Sequence, residues 1–253
     1  MSGTGDQRSE AGPVLWSGRR LRDPHSVGDK ALRVREMFDR IAPTYQRVNR
    51  LASAGRDAVW RRALVDMATV RCADRVLDVA CGTGDLAGVF REAGAGEVVG
   101  LDFAREMLLR CQRPDASSSW CQADALKLPF GDGSFDIVSC AFGIRNFQVL
   151  QTGLSEMFRV LAPGGRAMIL EFTMPEIVPL RWAYSFYFSV VMPRLATWVS
   201  RDDSGAYSYL PQSVATFPEP AEVVKCFEKV GFSAVNTRRM SLGIVQLLRA
   251  DKN

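Results

Sequence analysis

Apolar positions in residues 31–68 recur every three or four places: Val34, Phe38, Ile41 and Tyr45, then Val48, Leu51 and Ala52. That spacing predicts amphipathic helix, and Pro43 divides it into two or three short pieces around a bend. Past residue 70 the rhythm changes to short apolar runs at 75–80 (RVLDVA), 97–102 (EVVGLD), 119–123, 135–142 (FDIVSCAF) and 165–172 (GRAMILEF). The stretches between them, 85–93, 104–112 and 154–161, keep helical spacing. Strand–helix alternation of this kind predicts an α/β fold, a parallel sheet with helices on both faces. A helix at 219–230 and strand-like runs at 234–239 and 243–249 follow, compatible with an antiparallel strand closing one edge.

Two segments break the pattern. Residues 175–211 hold Pro175, Pro179, Pro193 and Pro211 among many aromatics, and are expected to form a helical excursion that either packs as core or covers a substrate. Residues 1–30 are rich in Gly, Ser and Arg and are expected to be a disordered tail. The organisation is then a tail, 1–30, and one domain, 31–253, with a helical cap at 31–68 and a helical lid at 175–211. A secretory signal would show ~7–15 uninterrupted apolar residues near the start, and the tail has none. The uncharged run 182–193 is shorter than the ~20 residues of a spanning helix, so a cytoplasmic protein is expected.

Composition changes this picture little. The chain has 253 residues, 47% hydrophobic and 24% charged, enough to bury a core without disulfides or metal. The net charge of +4 is mild and no basic run concentrates it, so nucleic acid is not an expected partner. Collagen, coiled-coil and disordered classes are excluded by the same figures. No two of the six cysteines have CxxC spacing and His25 is the one histidine, so no metal site is expected and the thiols are read as buried and free.

The strongest chemical signal is Val76-Leu77-Asp78-Val79-Ala80-Cys81-Gly82-Thr83-Gly84-Asp85, an apolar strand running through glycines into a helix. Such a junction lets a ligand lie against bare backbone, but Gly82-x-Gly84-x-x-Ala87 also satisfies a loose dinucleotide pattern. The acids separate the ligands: Asp78 lies in the strand, Asp85 at the helix start, Asp102 at the end of the second strand and Asp124 after the third. An acid at a helix N-terminus repels a pyrophosphate. S-adenosylmethionine carries a sulfonium and an ammonium instead, and carboxylates near it are favourable.

The loop and Asp102, together with Asp124-Ala125, Leu128-Pro129-Phe130, Asp132-Gly133-Ser134-Phe135-Asp136 and Arg159-Val160-Leu161-Ala162-Pro163-Gly164-Gly165, resemble the class I S-adenosylmethionine-dependent methyltransferases. Three further stretches are similar to one family among these, the C-methyltransferases of menaquinone and ubiquinone biosynthesis: residues 38–45 (FDRIAPTY) with Asn49, Ser53 and Trp60; 142–146 (FGIRN); and 170–175 (LEFTMP). Tyr207-Ser208-Tyr209-Leu210, Ser213 and Gly243-Ile244-Val245 extend the likeness over most of 32–250. It departs where the family usually has Asp, Met, His, Ser and Lys and this chain has Gln46, Val48, Asp57, Ala141 and Ala162.

The resemblance implies a Rossmann-like, mostly parallel seven-stranded sheet with an antiparallel edge strand. It implies S-adenosylmethionine as cofactor, held by Asp78, Gly82, Thr83, Gly84, Asp102, Phe103, Met107, Asp124, Ala125 and Ala141. It implies a prenylated hydroquinone methylated at a ring carbon, without metal, with Arg145, Tyr45 and Asn146 as catalytic candidates. Arg145 has a charge suited to a developing phenolate, with a surface salt bridge as its alternative role. A prenyl tail suggests contact with the inner face of a membrane through Trp182, Tyr184, Phe186, Tyr187, Phe188 and Trp198; a homodimer stays open. The run 100–103 (GLDF) is similar to menaquinone-pathway members. A benzoquinol methyltransferase, a methyltransferase of another lipid or phenol, a non-catalytic cofactor-binding subunit and an oxidoreductase are the other readings.

Overall fold

The computed structural model describes residues 15–111, 118–200 and 205–253, apart from the side chains of Arg19, Trp198 and Val199. Strands β1 (Arg75–Val79), β2 (Glu97–Asp102), β3 (Ser118–Gln122), β4 (Phe135–Ala141), β5 (Leu161–Phe172), β6 (Ser233–Met240) and β7 (Val245–Asp251) form one sheet in the order β3-β2-β1-β4-β5-β7-β6. The strands β1 to β5 pair in parallel. The chain moves outward from β1 through β2 to β3, then returns to place β4 on the other side of β1. That reversal opens a crevice at the carboxyl ends of β1 and β4, where ligands bind in open α/β sheets.

The antiparallel strand is β7, and it is not the edge: it pairs with β5 on one side and β6 on the other. Burial explains the order. Val245, Leu247, Leu248 and Ala250 are buried to both faces, whereas β6 is mostly exposed along its length, so the more apolar strand takes the inner position.

The helices are α1 (Gly18–Arg22), α2 (Lys30–Ile41), α3 (Tyr45–Ala52), α4 (Arg56–Ala68), α5 (Asp85–Glu92), α6 (Arg105–Leu108), α7 (Leu150–Val160), α8 (Val178–Phe186), α9 (Met192–Ser200), α10 (Ala206–Ala215) and α11 (Pro220–Val230). Alternate residues along the strands feed two cores. Leu77, Val79, Leu101 and Val138 meet α7 and α11 on one face. Val76, Val98, Ile137 and Leu170 meet Trp60 and Leu64 of α4 and Phe90 of α5 on the other.

A third core stands above the carboxyl edge, where Val34, Met37, Ile41 and Val48 of the N-terminal helices pack on Tyr184, Phe188, Met192, Tyr207 and Tyr209. The aromatic insertion is therefore largely core. Its helices α8 and α9 run on through a π-helical turn, Tyr187–Val191, and Pro211 is accommodated inside α10. Trp182 and Phe186 point outward instead, at 75% and 63% exposure.

The expected tail needs correction from residue 15 onward; residues 1–14 lie outside the described chain. Leu15 and Trp16 are buried in the third core, and the Trp16 ring packs tilted against Tyr209 with the ring centres 4.3 Å apart. Gly, Ser and Arg dominate the composition of this stretch, yet two large apolar side chains suffice to anchor it. The thiols differ too: all six cysteines are free, but Cys72 is exposed and only Cys81 and Cys140 are fully buried.

Candidate active site

Two cavities lie at the carboxyl ends of β1, β2 and β4. The first, about 750 Å³, is lined by Gly82, Asp102, Phe103, Met107, Asp124, Ala125, Ala141 and Asn146, with Phe38 and Tyr45 from the cap. The second, about 1030 Å³, is walled by aromatic rings of the cap and the insertion and by Arg145, Asp57 and Arg61. Phe38, Tyr45 and Phe142 line both, so these rings stand at the junction. A small polar recess beside them is bounded by Tyr45, Arg61, Asp78, Gly82, Asp85 and Ala141.

Backbone strain marks this edge. Ala80 and Phe142, the residues that follow β1 and β4 or nearly so, take φ of +55° and +57°. A non-glycine residue held there costs on the order of 1–2 kcal/mol. Around Phe142 the cost is offset by its partners: its N–H donates to the Leu170 oxygen at 2.7 Å, and its own oxygen accepts from Arg145 Nη1 and Asn146 Nδ2.

Asp102 accepts from the Gly82 N–H and the Ala104 N–H, both at 2.8 Å, which ties the glycine loop to the end of β2. Burial pushes its carboxyl up to about 6. Asp78 is more extreme. Its Oδ1 accepts from Ser139 Oγ at 2.9 Å, while the buried Oδ2 has no partner. Burial moves the group to about 7, against the pull of Ser139. Asp124 Oδ1 holds the Leu126 N–H at 2.9 Å, shaping the turn through Ala125.

Thr83 and Gly84 do not line these cavities. Thr83 Oγ1 donates to Asp85 Oδ2 at 2.9 Å. Gly84 begins α5 at φ +81°, and a Cβ there would stand 2.8 Å from the Trp120 ring. Both shape the loop from behind.

Arg145 is buried, not on the surface. Its Nη1 donates to Glu171 Oε1 at 2.6 Å, and both side chains are under a tenth exposed. Its Nε is buried without a partner. Asn146 has both ends of its amide engaged, Nδ2 on Phe142 and Oδ1 accepting from Tyr209 at 2.9 Å. Tyr45 packs edge-on to Phe38, and burial raises its hydroxyl's pKa.

The substituted positions acquire physical roles. Gln46 Nε2 donates to Asp85 Oδ1 at 3.0 Å. Asp57 accepts from Ser53 Oγ at 2.8 Å and pairs with Arg61 one turn on. Burial raises Asp57, but Arg61 and Ser53 outweigh it and hold the carboxyl below its usual range. Val48 fills the third core, and Ala141 lines the first cavity and the recess.

Arg61 and Glu171 were not among the predicted site residues. Arg61 reads in sequence like any charge on a helix beside Arg62. Glu171, a carboxylate inside the apolar run 165–172, carried a signal: an acid in a buried strand needs a partner.

Comparison with known proteins follows the same lines. The sequence model of the ubiE/COQ5 methyltransferase family matches residues 26–252. A protein of Deinococcus radiodurans named demethylmenaquinone methyltransferase is 44% identical, over 88% of this chain and 94% of its own. One of Geotalea daltonii named ubiquinone/menaquinone biosynthesis C-methyltransferase UbiE is 39% identical, over 88% and 98%. Among solved structures, a Thermotoga maritima S-adenosylmethionine-dependent methyltransferase, described as a possible histamine N-methyltransferase, superposes with a TM-score of 0.64 at 16% identity, covering 86% of this chain and 99% of its own; it is alike in fold.

Asp78 yields a prediction that needs no ligand. Its raised value means that it contributes stability at low pH, lost as pH rises through about 7. Asp78→Asn removes this dependence. In thermal melts the variant gains on the wild type between about pH 4 and 7, and the difference between the two stays constant above about pH 7.5. A difference in Tm that does not change with pH would contradict the burial argument.

Proposed function

The chain belongs to the ubiE/COQ5 methyltransferase family, and on that premise we propose how it works as an S-adenosylmethionine-dependent C-methyltransferase of quinone biosynthesis. Our reading is that the second cavity receives a prenylated hydroquinone, that this quinol is demethylmenaquinol, and that the first cavity and the polar recess hold the cofactor. The observation that carries it is the meeting of an acid-lined cavity and an aromatic one at Tyr45 and Phe142. The second reading, a benzoquinol substrate, is favoured by the Geotalea relative, whose name covers both pathways.

The residues present fit the cofactor. The unpartnered Asp78 Oδ2 in the recess suits an α-ammonium, and Arg61 beside it suits a carboxylate. Asp102 keeps lone pairs for ribose hydroxyls beyond those engaged by Gly82 and Ala104. Phe103, Met107, Ala125 and Leu126 provide an apolar slot for adenine. When bound, S-adenosylmethionine supplies an electrophilic methyl group on a sulfonium.

The protein's own part is alignment and electrostatics. Tyr45 and Phe142 separate the chambers and exclude water from the transfer path. The ring carbon ortho to a quinol hydroxyl becomes nucleophilic as that hydroxyl ionises, and Arg145 stabilises the phenolate that develops. A guanidinium carries a fixed charge and accepts no proton, so the hydroxyl proton leaves to water. Once the carbon–methyl bond has formed, the ring carbon's own hydrogen leaves as a proton and the oxygen regains one, which restores the aromatic quinol. Asn146 holds the turn that carries Arg145.

Substrate reaches this site from a membrane in our reading. Among the described residues no helix is long and apolar enough to cross one. Val178, Trp182 and Phe186 lie on one exposed face of α8 at helical spacing, and this face is suited to dip into an interface at the cytoplasmic side. The chain is therefore expected to sediment with anionic liposomes, and Trp182→Ser/Phe186→Ser to stay in the supernatant; equal sedimentation of both would contradict it.

Arg145→Ala alone would strand Glu171, a buried charge whose loss of partner costs about 3–5 kcal/mol. The cleaner test is Arg145→Met with Glu171→Gln. The pair variant should fold and bind S-adenosylhomocysteine within about twofold of wild type by calorimetry, while kcat falls on the order of 10²–10³, comparable with loss of an oxyanion donor. Near-native kcat would make the ion pair purely structural.

A further inference from the structure

Lys30 opens α2, and only 2% of its surface is exposed. Its Nζ donates to the main-chain oxygens of Arg145 and Phe147 at 2.8 and 2.7 Å, and lies 3.0 Å from Nδ1 of His25. Three ammonium hydrogens thus meet three acceptors. None of them is a carboxylate, and among the described residues Lys30 forms no ion pair; Asp23 acts on it only from longer range. A buried charge without a counter-charge is costly, and an apolar side chain would fill the same space without that cost.

The groups facing Lys30 are His25 and Asp23 from the N-terminal segment and Arg145 from the turn after β4. His25 is neutral in this arrangement. Its Nε2–H donates to the Ser213 oxygen at 3.0 Å, leaving Nδ1 to accept from Lys30; burial, then the charge of Lys30, lowers its pKa. Arg145 is neutralised by Glu171. Asp23 is exposed and acts only from longer range, so the buried positive charge of this cluster belongs to Lys30.

We propose that Lys30 is the positioning residue of the Arg145 turn: it holds the main chain of residues 145–147 in the arc that aims Arg145 at the reacting ring, and it restores the net positive charge that Glu171 cancels. The proposal rests on the reading of the aromatic cavity as the quinol site. Its reach is wide, because His25 also grips α10 through Ser213. The N-terminal segment, the insertion and the turn are thereby joined at one ammonium. Burial, then the charge of Arg145, lowers Lys30 to about 8, so its discharge falls inside the range of an ordinary pH profile. Above that value the amine keeps two donors and loses the charge.

The test compares Lys30→Met, which keeps the stem but no charge or donors, with Lys30→Arg in the full chain, using a short-chain demethylmenaquinol. Wild-type kcat is expected to bend downward as pH rises through about 8. Lys30→Met should lower kcat at neutral pH about tenfold or more, leave quinol KM within about threefold, and lose the bend. Lys30→Arg should recover most of kcat and show no bend near 8. A Lys30→Met enzyme with native kcat and native pH profile, only less thermostable, would overturn the proposal. A wild type that binds S-adenosylhomocysteine yet turns over no quinol would overturn the functional reading and this proposal with it. If Lys30→Met does not fold, NMR of the wild type labelled at lysine Cε decides. The chain has five lysines, and Lys30→Arg assigns the signal: titration near 8 supports the proposal, titration above about 10, the ordinary lysine value, overturns it.

Discussion

The buried pair of Arg145 and Glu171 is the constraint on which this site depends. Two desolvated charges are tolerated only where their geometry is held and their other bonding capacity is used. Here Glu171 also accepts from the Phe172 N–H at 2.9 Å, and Arg145 also donates to the strained carbonyl of Phe142. The guanidinium lies 5.6 Å from the centre of the Phe172 ring, and both residues line the second cavity. Strand β5, the turn after β4 and the aromatic wall are therefore mutually fixed. The same fixing leaves the left-handed Phe142 in place at the junction of the two cavities.

In the proposed reading, that arrangement sets the electrostatics of the reaction. Aromatic walls exclude water and lower the local dielectric, so a charge beside the ring acts more strongly than it would in solution. Across the junction the sign reverses, since Asp78 and Asp102 stand on the other side, where burial holds both carboxyls above their usual range. A cation suits the first chamber and a developing phenolate suits the second. In the proposed reading, the transfer between them discharges a sulfonium on one side and an ionised quinol on the other.

Much of this was legible in the sequence because it is local. Strand–helix alternation, the acid at the end of each early strand and the glycine loop are short-range patterns, and each lies where the alternation predicts. The parts that were not legible depend on partners far apart in the chain. Nothing within five residues of Lys30 signals that it reaches residues 145 and 147. Composition marked residues 15–30 as tail, yet Trp16 packs against Tyr209, far away along the chain. The order of β6 and β7 is a matter of which strand is more apolar, and hydropathy along each run held that answer without stating it. Asp57 stands where the family usually has His, and its role is set by Arg61 and Ser53, which hold its carboxylate.

The central claim is that this site moves a methyl group onto carbon. The most direct measurement is product NMR after incubation of the enzyme with demethylmenaquinol and S-adenosylmethionine carrying a ¹³C-labelled methyl group. The account predicts a single labelled methyl signal at the chemical shift of an aryl methyl, coupled to a quaternary ring carbon. A label at the shift of an aryl methoxy group, or no transfer from a cofactor that calorimetry shows to be bound, would contradict it.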